Sequence, residues 1–232
     1  MFKRERQAML RDWNERMERN PTYYIAARGT DTNFRWDMDE FFRVGEEETT
    51  LLTQDFFKQN GFTPHDKVML EIGCGIGRMT RAFAKIFRLV YALDISPVAI
   101  KLGQELNQEF RNIRWVVGNG VDLSGLKNKF FDLVFSYIVF QHIPVKEILF
   151  RYVQEIGRVM KTDGLVKFQV CNDPKLQEEA SFPTCARKEP DTFASYYVHK
   201  DALLRKMLDA HLRCLRVVGE GTQYMWIEAR RI

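Results

Sequence analysis

Three glycines alternate in Glu71-Ile72-Gly73-Cys74-Gly75-Ile76-Gly77, between a short apolar run and a helical stripe. Glycine lacks a Cβ, so such a loop admits left-handed turns and lets the backbone approach a ligand closely. A dinucleotide loop reads G-x-G-x-x-G, and Arg78 stands where its last glycine would be. The order G-x-G-x-G suits a nucleoside without a pyrophosphate. Asp94 closes the next apolar run, twenty-one residues after Gly73, where a carboxylate can accept two ribose hydroxyls. Its competing role is that of an acid near the first turn of the Pro97 helix. Asn119-Gly120 follows a third run, and its amide can donate to and accept from an adenine edge or simply make a turn. Gln141-His142-Ile143 follows a fourth run. His142 titrates near neutrality and is the candidate general base, or else a packed or capping side chain beside Pro144.

These residues need rigid elements behind them. Met9, Leu10, Trp13 and Met17 form a helical stripe, which Asn20-Pro21 ends. The stretch 23–42 holds six aromatics without clear period, and a second helix is predicted from about Glu46 to Gln59, with Asn60-Gly61 as its stop. Strands are predicted at Val68–Ile72, Leu89–Leu93, Ile113–Val117, Phe131–Phe135 and Leu165–Val170, the last after a turn at Asp163-Gly164. Between them run helices through Met79–Ile86, from Ser96-Pro97 to Phe110, and from Pro144 to Val159. Alternation of apolar strands with helices implies a parallel sheet covered on both faces. A last helix carries Leu203, Leu204, Met207 and Leu208. The link from Cys214–Val218 to Tyr224–Ala229 is too short for a parallel crossover, so those two strands pair antiparallel.

The 232 residues are 45% hydrophobic and 28% charged, as in an ordinary globular domain, and the net charge is +4. The first 60 residues hold ten basic and twelve acidic side chains, and no dense Lys/Arg run tracks a nucleic-acid backbone. The four cysteines (Cys74, Cys171, Cys185, Cys214) have neither metal-ligand nor dithiol spacing. No metal is expected. A reduced, cytoplasmic protein is expected, without a secretory signal or membrane span.

EIGCGIGRMT, ALDIS, VVGNGVDL and FFDLVFSYIVFQHIP, in this order and spacing, resemble the class I S-adenosylmethionine-dependent methyltransferases. The resemblance is strong over residues 67–170, and the terminal helix and hairpin fit it. It implies an α/β fold: a Rossmann-like, doubly wound, seven-stranded and mostly parallel sheet with an antiparallel C-terminal hairpin, plus an N-terminal helical cap. Residues 1–60 form that cap within the same domain, 61–232 the methyltransferase domain, and 171–199 a variable acceptor segment. The implied cofactor is S-adenosyl-L-methionine, with S-adenosyl-L-homocysteine as product. Glu71, Gly73, Cys74, Gly75 and Gly77 would surround its methionine part, with Glu71 facing the ammonium. Asp94 and Ile95 would hold the ribose, Asn119, Gly120 and Val121 the adenine, and Ser136 the floor near the methionine. Arg78 would reach the carboxylate or else point to solvent.

Methyl transfer from a sulfonium needs mainly positioning, and a base only where the acceptor arrives protonated. Tyr137 and Gln141 are candidates to orient an acceptor beside His142. Tyr23, Tyr24 and Trp36 lie in the aromatic stretch, which reads either as a lid lining an acceptor pocket or as an apolar strap. Phe182, Phe193, Tyr196 and Tyr197 would face the same pocket. Ser136-Tyr137 stands where enzymes acting on nucleobase or glutamine amines carry Asn/Asp-Pro-Pro-Tyr/Phe. The expected acceptor is therefore a small molecule with apolar or ring surface, methylated at oxygen, and no nucleic-acid partner is expected. RNA or protein as acceptor, and a non-catalytic S-adenosylmethionine-binding protein, are the alternatives.

Overall fold

The computed structural model describes residues 2–176 and 192–232. The elements are α1 (Lys3–Arg19), α2 (Pro21–Ile25), α3 (Met38–Gln59), β1 (Val68–Ile72), α4 (Thr80–Ile86), β2 (Leu89–Asp94), α5 (Pro97–Leu106) and β3 (Ile113–Val117). There follow β4 (Phe131–Ser136), a 3₁₀ turn (Phe140–His142), α6 (Lys146–Val159), β5 (Met160–Val170), α7 (Lys200–Asp209), β6 (Leu212–Val218) and β7 (Met225–Arg231). The strand order is β3-β2-β1-β4-β5-β7-β6. β1 pairs β2, β2 pairs β3 and β4 pairs β5 in parallel, whereas β7 runs antiparallel to both β5 and β6. The expected mostly parallel seven-stranded sheet with an antiparallel hairpin is the one observed. The chain forms two compact units, Asp12–Val117 and a second combining Met1–Arg11 with Gly118–Ile232.

In the Asp12–Val117 unit, every residue of β1 is buried, as its unbroken apolar character requires. The helix α3 presents Phe41, Gly45, Thr49, Thr53 and Phe56 on one buried face. Its middle is small, and the Thr49 and Thr53 hydroxyls donate back to the carbonyls of Gly45 and Thr49, so the helix can approach its neighbour closely. An apolar cluster joins Met17, Trp36, Phe41 and Phe42 to Ile76 of the glycine loop and Ala99 of α5. The N-terminal helices thus share a core with the loop.

In the second unit, Phe140 packs between Tyr152 of α6 and Phe168 of β5. The neighbouring cross-strand pair Lys167–Glu228 forms a buried ion pair at 2.8 Å. No helix among the described residues is long and apolar enough to cross a membrane.

Several boundaries differ from expectation, among them the end of α5 at Leu106 rather than Phe110, where Asn107 is the C-cap. Asn20-Pro21 ends α1 but also starts α2, because the Asn20 side chain accepts from the Tyr23 amide while Pro21 takes the first helical turn. The helix α3 begins at Met38 rather than near Glu46. Asp37 caps it by accepting from the Glu40 amide, and the aromatic pair Phe41–Phe42 lies inside it. The helix α6 begins at Lys146, two residues beyond Pro144. The strand β5 begins at Met160 rather than Leu165. Asp163 (φ +64°) and Gly164 lie within it, opposite a register shift between Phe131 and Leu133, so the dipeptide makes a bulge rather than a turn. Phe182 and Cys185 lie outside the described residues.

Candidate functional site

Within the Asp12–Val117 unit, the loop after β1 is held by its neighbours' backbone. The Gly73 and Cys74 amides both donate to the Leu93 carbonyl, at 2.7 and 3.1 Å. The Gly75 amide donates to Asp94 Oδ2 at 2.9 Å, and the Ser96 amide to Asp94 Oδ1 at 2.9 Å. Three backbone N–H groups thus reach a carboxylate with about four acceptor sites, which leaves capacity for a hydroxyl. Gly75 (φ +54°) and Gly77 (φ +89°) require a residue without Cβ. A Cβ on Gly75 would sit 2.8 Å from Ile25, and one on Gly77 would sit 2.6 Å from the Trp115 ring. Cys74 is buried in the loop, and burial pushes its thiol well above its usual range. Ile95 follows Asp94 at the end of β2, and its amide also reaches the Asp94 carboxylate.

Glu71 ends β1's polar register with only 4% exposure. Burial, opposed by the Thr80 hydroxyl, which donates to it at 2.5 Å, and by nearby Arg78, pushes its pKa up to about 8. Asp94 is likewise raised by burial, against hydrogen bonds from the backbone of Ser96, Gly75 and Ile95. Arg78 does not face solvent. It is 5% exposed, pairs through Nη2 with Glu48 of α3 at 2.5 Å, and lies over the Phe41 ring. Its Nε and Nη1 are buried without an acceptor among the described residues. Two carboxyls with capacity to spare and a guanidinium with two orphaned donors fit a ligand that carries hydroxyls and a zwitterionic amino-acid end.

Ser96, expected as the N-cap of the Pro97 helix, is that cap, and sequence reasoning missed three other residues around this loop. Ser96 also donates to Asn14 of α1 at 2.6 Å. Asn107 donates to the Ile76 carbonyl and to that of Gly103. Thr80 and Glu48 complete the set. The signal for Glu48 was Gly45, a glycine in mid-helix, which marks a close approach. A Cβ there would meet the Arg78 carbonyl oxygen at 2.6 Å.

Of the aromatic candidates, Tyr23 and Trp36 are buried. Trp36 Nε1 donates to the Ala26 carbonyl at 2.8 Å, and the Arg28 guanidinium lies over its ring. Tyr24 packs edge-on to Tyr23 and against the same apolar cluster.

The second unit places the remaining candidates. The Asn119 carbonyl accepts from the amides of Val121 and Asp122, and its amino group donates to Asp122, so it builds its own turn around Gly120 (φ +74°). Ser136 ends β4 beside Phe168 and is buried. Tyr137 stacks on Trp226, with ring centroids 5.1 Å apart. Ile138 has φ +53°, a strained conformation for a β-branched residue, and its amide donates to Gln169 Oε1.

That bond begins a chain whose polarity is fixed at its ends. Gln169 accepts from a backbone amide and donates to the Gln223 carbonyl, so its second N–H goes to Gln141 Oε1 at 2.8 Å. Gln141 must then present its amino group to His142 Nε2 at 3.2 Å. His142 Nδ1 lies 3.2 Å from the Ala194 carbonyl and must be the nitrogen that carries the proton. His142 is 7% exposed, stacked on Phe193, and within hydrogen-bond distance of a partner at both nitrogens. Tyr196 reaches the same turn, donating its amide to the Gln141 carbonyl. Gln169 and Trp226 were not foreseen. The polar pair Lys167 and Gln169, two apart in an apolar run, was the available signal. Among the described residues, no three His, Cys, Asp or Glu side chains group as a metal site.

Residues 70–168 match a family model described as a methyltransferase domain. The chain is 29% identical to phosphoethanolamine N-methyltransferase 1 of Caenorhabditis elegans over 140 residues, covering 58% of this chain and 29% of that protein. It spans less than half the length of the first curated relatives it matches. Two solved structures are similar in fold over nearly the whole chain. Geranyl diphosphate C-methyltransferase from Streptomyces coelicolor, in complex with Mg2+, geranyl diphosphate and S-adenosyl-L-homocysteine, has a TM-score of 0.67 at 16% identity and 98% coverage of both chains. Magnesium protoporphyrin IX methyltransferase from Synechocystis, with bound S-adenosylmethionine, has a TM-score of 0.63 at 20% identity, covering 98% of this chain and 97% of that one.

Proposed function

We propose, from a chain that belongs to the class I S-adenosylmethionine-dependent methyltransferases, that its activity is methyl transfer to a small-molecule acceptor. The observation that carries the cofactor half of this reading is the pairing of Asp94 with the Gly75 amide at the end of β2, which fixes a carboxylate against a glycine-lined cradle. S-adenosylmethionine, when bound, supplies a methyl on an activated sulfonium. Asp94 and Ile95 receive the ribose, Glu71 the ammonium and Arg78 the carboxylate. Gly73, Cys74, Gly75 and Gly77 provide backbone close to the methionine part.

The acceptor reading rests on Tyr137, Trp226 and the strained Ile138 beside them, an aromatic wall held by buried amides. Tyr137 orients the acceptor, on a turn that Gln141 holds through Gln169. His142 ties the 3₁₀ turn to the segment around Ala194, because taking a proton at Nε2 would require Gln141 to turn over and break its bond to Gln169. An oxygen acceptor must then arrive already ionised, as a carboxylate or phenolate would. The balance of charge and the lack of a basic run favour a small acceptor over RNA.

The test is transfer from methyl-labelled S-adenosylmethionine into a cell extract separated by size. Label in the low-mass fraction is expected. Label in RNA or protein, or no transfer, would contradict the proposal. His142→Gln should lower turnover while leaving its pH dependence unchanged; a shifted pH–rate profile would restore the histidine as base.

A further inference from the structure

Glu48 lies outside every motif of the glycine loop, yet its carboxylate touches the loop's buried guanidinium. It projects from the middle of α3, one turn beyond Gly45, and pairs with Arg78 at 2.5 Å. The approach is a built one. Gly45 has room for no Cβ against the Arg78 carbonyl and Cγ, and Phe41 lies under the guanidinium from the same helix face. Arg78 is 6% exposed at its side chain and Glu48 35%. Seven residues before Arg78, Glu71 is buried near that positive charge but makes no ion pair with it; its carboxyl takes a hydrogen bond from Thr80. An arginine and a glutamate buried this near each other ordinarily pair, because each leaves the other's charge uncompensated. Here a third charge, from another helix, holds the arginine, and two of its donors stay open.

We propose that Glu48 is a positioning residue for the cofactor's amino-acid end: by holding Arg78 to α3 it keeps the guanidinium from closing onto Glu71. Glu71 is left to receive an ammonium, and Arg78 to receive a carboxylate, so the loop recognises a zwitterion rather than neutralising itself. The groups that face Glu71 are Arg78 and Thr80 beyond the loop, Cys74 within it and Asp94 on β2, and Glu48 acts on it only through Arg78. Because Glu71 has no cation in contact, it carries its proton at neutral pH and must release it when the ammonium arrives. In a chain lacking the Glu48 charge, Arg78 pairs with Glu71, which is then already ionised and closed to the ligand.

This rests on the proposed cofactor site, and two ligands separate the inference from that premise. S-adenosyl-L-homocysteine carries the zwitterion; 5′-methylthioadenosine keeps the nucleoside and lacks the amino-acid end. Each is titrated by calorimetry into the full chain at pH 7, in two buffers of different ionisation heat, so that protons released are counted. Glu48→Gln keeps the side chain's shape and removes its charge. It should weaken S-adenosyl-L-homocysteine by about tenfold or more, the scale of a lost charge-assisted hydrogen bond, and leave 5′-methylthioadenosine unchanged. It should also release fewer protons per S-adenosyl-L-homocysteine bound than the parent does. Glu48→Leu should show the same selectivity, more strongly, and stands in where the Gln variant does not fold. Equal weakening of both ligands, unchanged S-adenosyl-L-homocysteine binding, or an unchanged proton count would overturn the role of Glu48. A parent chain that binds neither ligand would overturn the cofactor site itself.

Discussion

The two compact units treat buried polar groups in opposite ways. In Asp12–Val117, Glu71, Asp94 and Arg78 are buried with capacity left over: a carboxyl without a cation, a carboxylate with unused lone pairs, and two orphaned guanidinium donors. In the unit built on Gly118–Ile232, Gln169, Gln141 and His142 close on one another, and their ends are fixed by the backbone of Ile138, Gln223 and Ala194. Leftover capacity is costly unless something satisfies it, so it marks the place of a ligand. A closed network needs nothing further and marks scaffold.

The largest effect is expected on the closed side. Gln169→Leu leaves the Ile138 amide, Gln141 Oε1 and the Gln223 carbonyl without their partner. At about 1–3 kcal/mol for each buried polar group left unpaired, it should destabilise by about 3–5 kcal/mol and lower Tm by roughly 10 °C. Calorimetric melting checks this, and a tolerated substitution would break the contrast. Gly45→Ala comes next. Its Cβ must displace the Arg78 backbone, at about 1–3 kcal/mol, and it should weaken S-adenosyl-L-homocysteine binding along with stability.

Glu71 gives a smaller, pH-dependent effect. Its pKa in the fold, about 8, lies above its ordinary 4.5. The stabilisation linked to its proton is therefore complete below about 4.5 and is lost as the pH rises through about 8. Urea unfolding between pH 6.5 and 9 should show a decline in the parent that Glu71→Gln lacks. At the bottom of the scale, Asp66→Ala should change neither melting nor cofactor binding, since Asp66 is exposed and, among the described residues, its side chain pairs with His65 alone.

The same contrast explains what was legible in the sequence. Strands β1 and β3 fell on the predicted residues because buried parallel strands need continuous apolar runs. The Gly73–Asp94 spacing was readable because one ligand and one topology constrain both positions. Asp37, Asp163 and Pro144 misplaced boundaries because a cap or a bulge is decided by tertiary partners. The roles of Arg78 and His142 stood open for a related reason. The surroundings of each side chain are set by a residue far along the chain, Glu48 for the one and Gln169, acting through Gln141, for the other, and no local spacing records that. Tyr23 and Trp36 drew notice as aromatics, but whether an aromatic lines a pocket or a core depends on what covers it.

Calorimetric titration of the parent and of Asp94→Ala with S-adenosyl-L-homocysteine tests the cofactor site most directly. Asp94→Ala would lose the hydroxyl contact and the hold on the Gly75 and Ser96 amides, so the expected result is saturable binding by the parent and a loss of about 10- to 100-fold in the variant, from about 1.5–3 kcal/mol for a hydrogen bond to a charged group. No binding by the parent at millimolar ligand, or equal binding by both, would contradict the account.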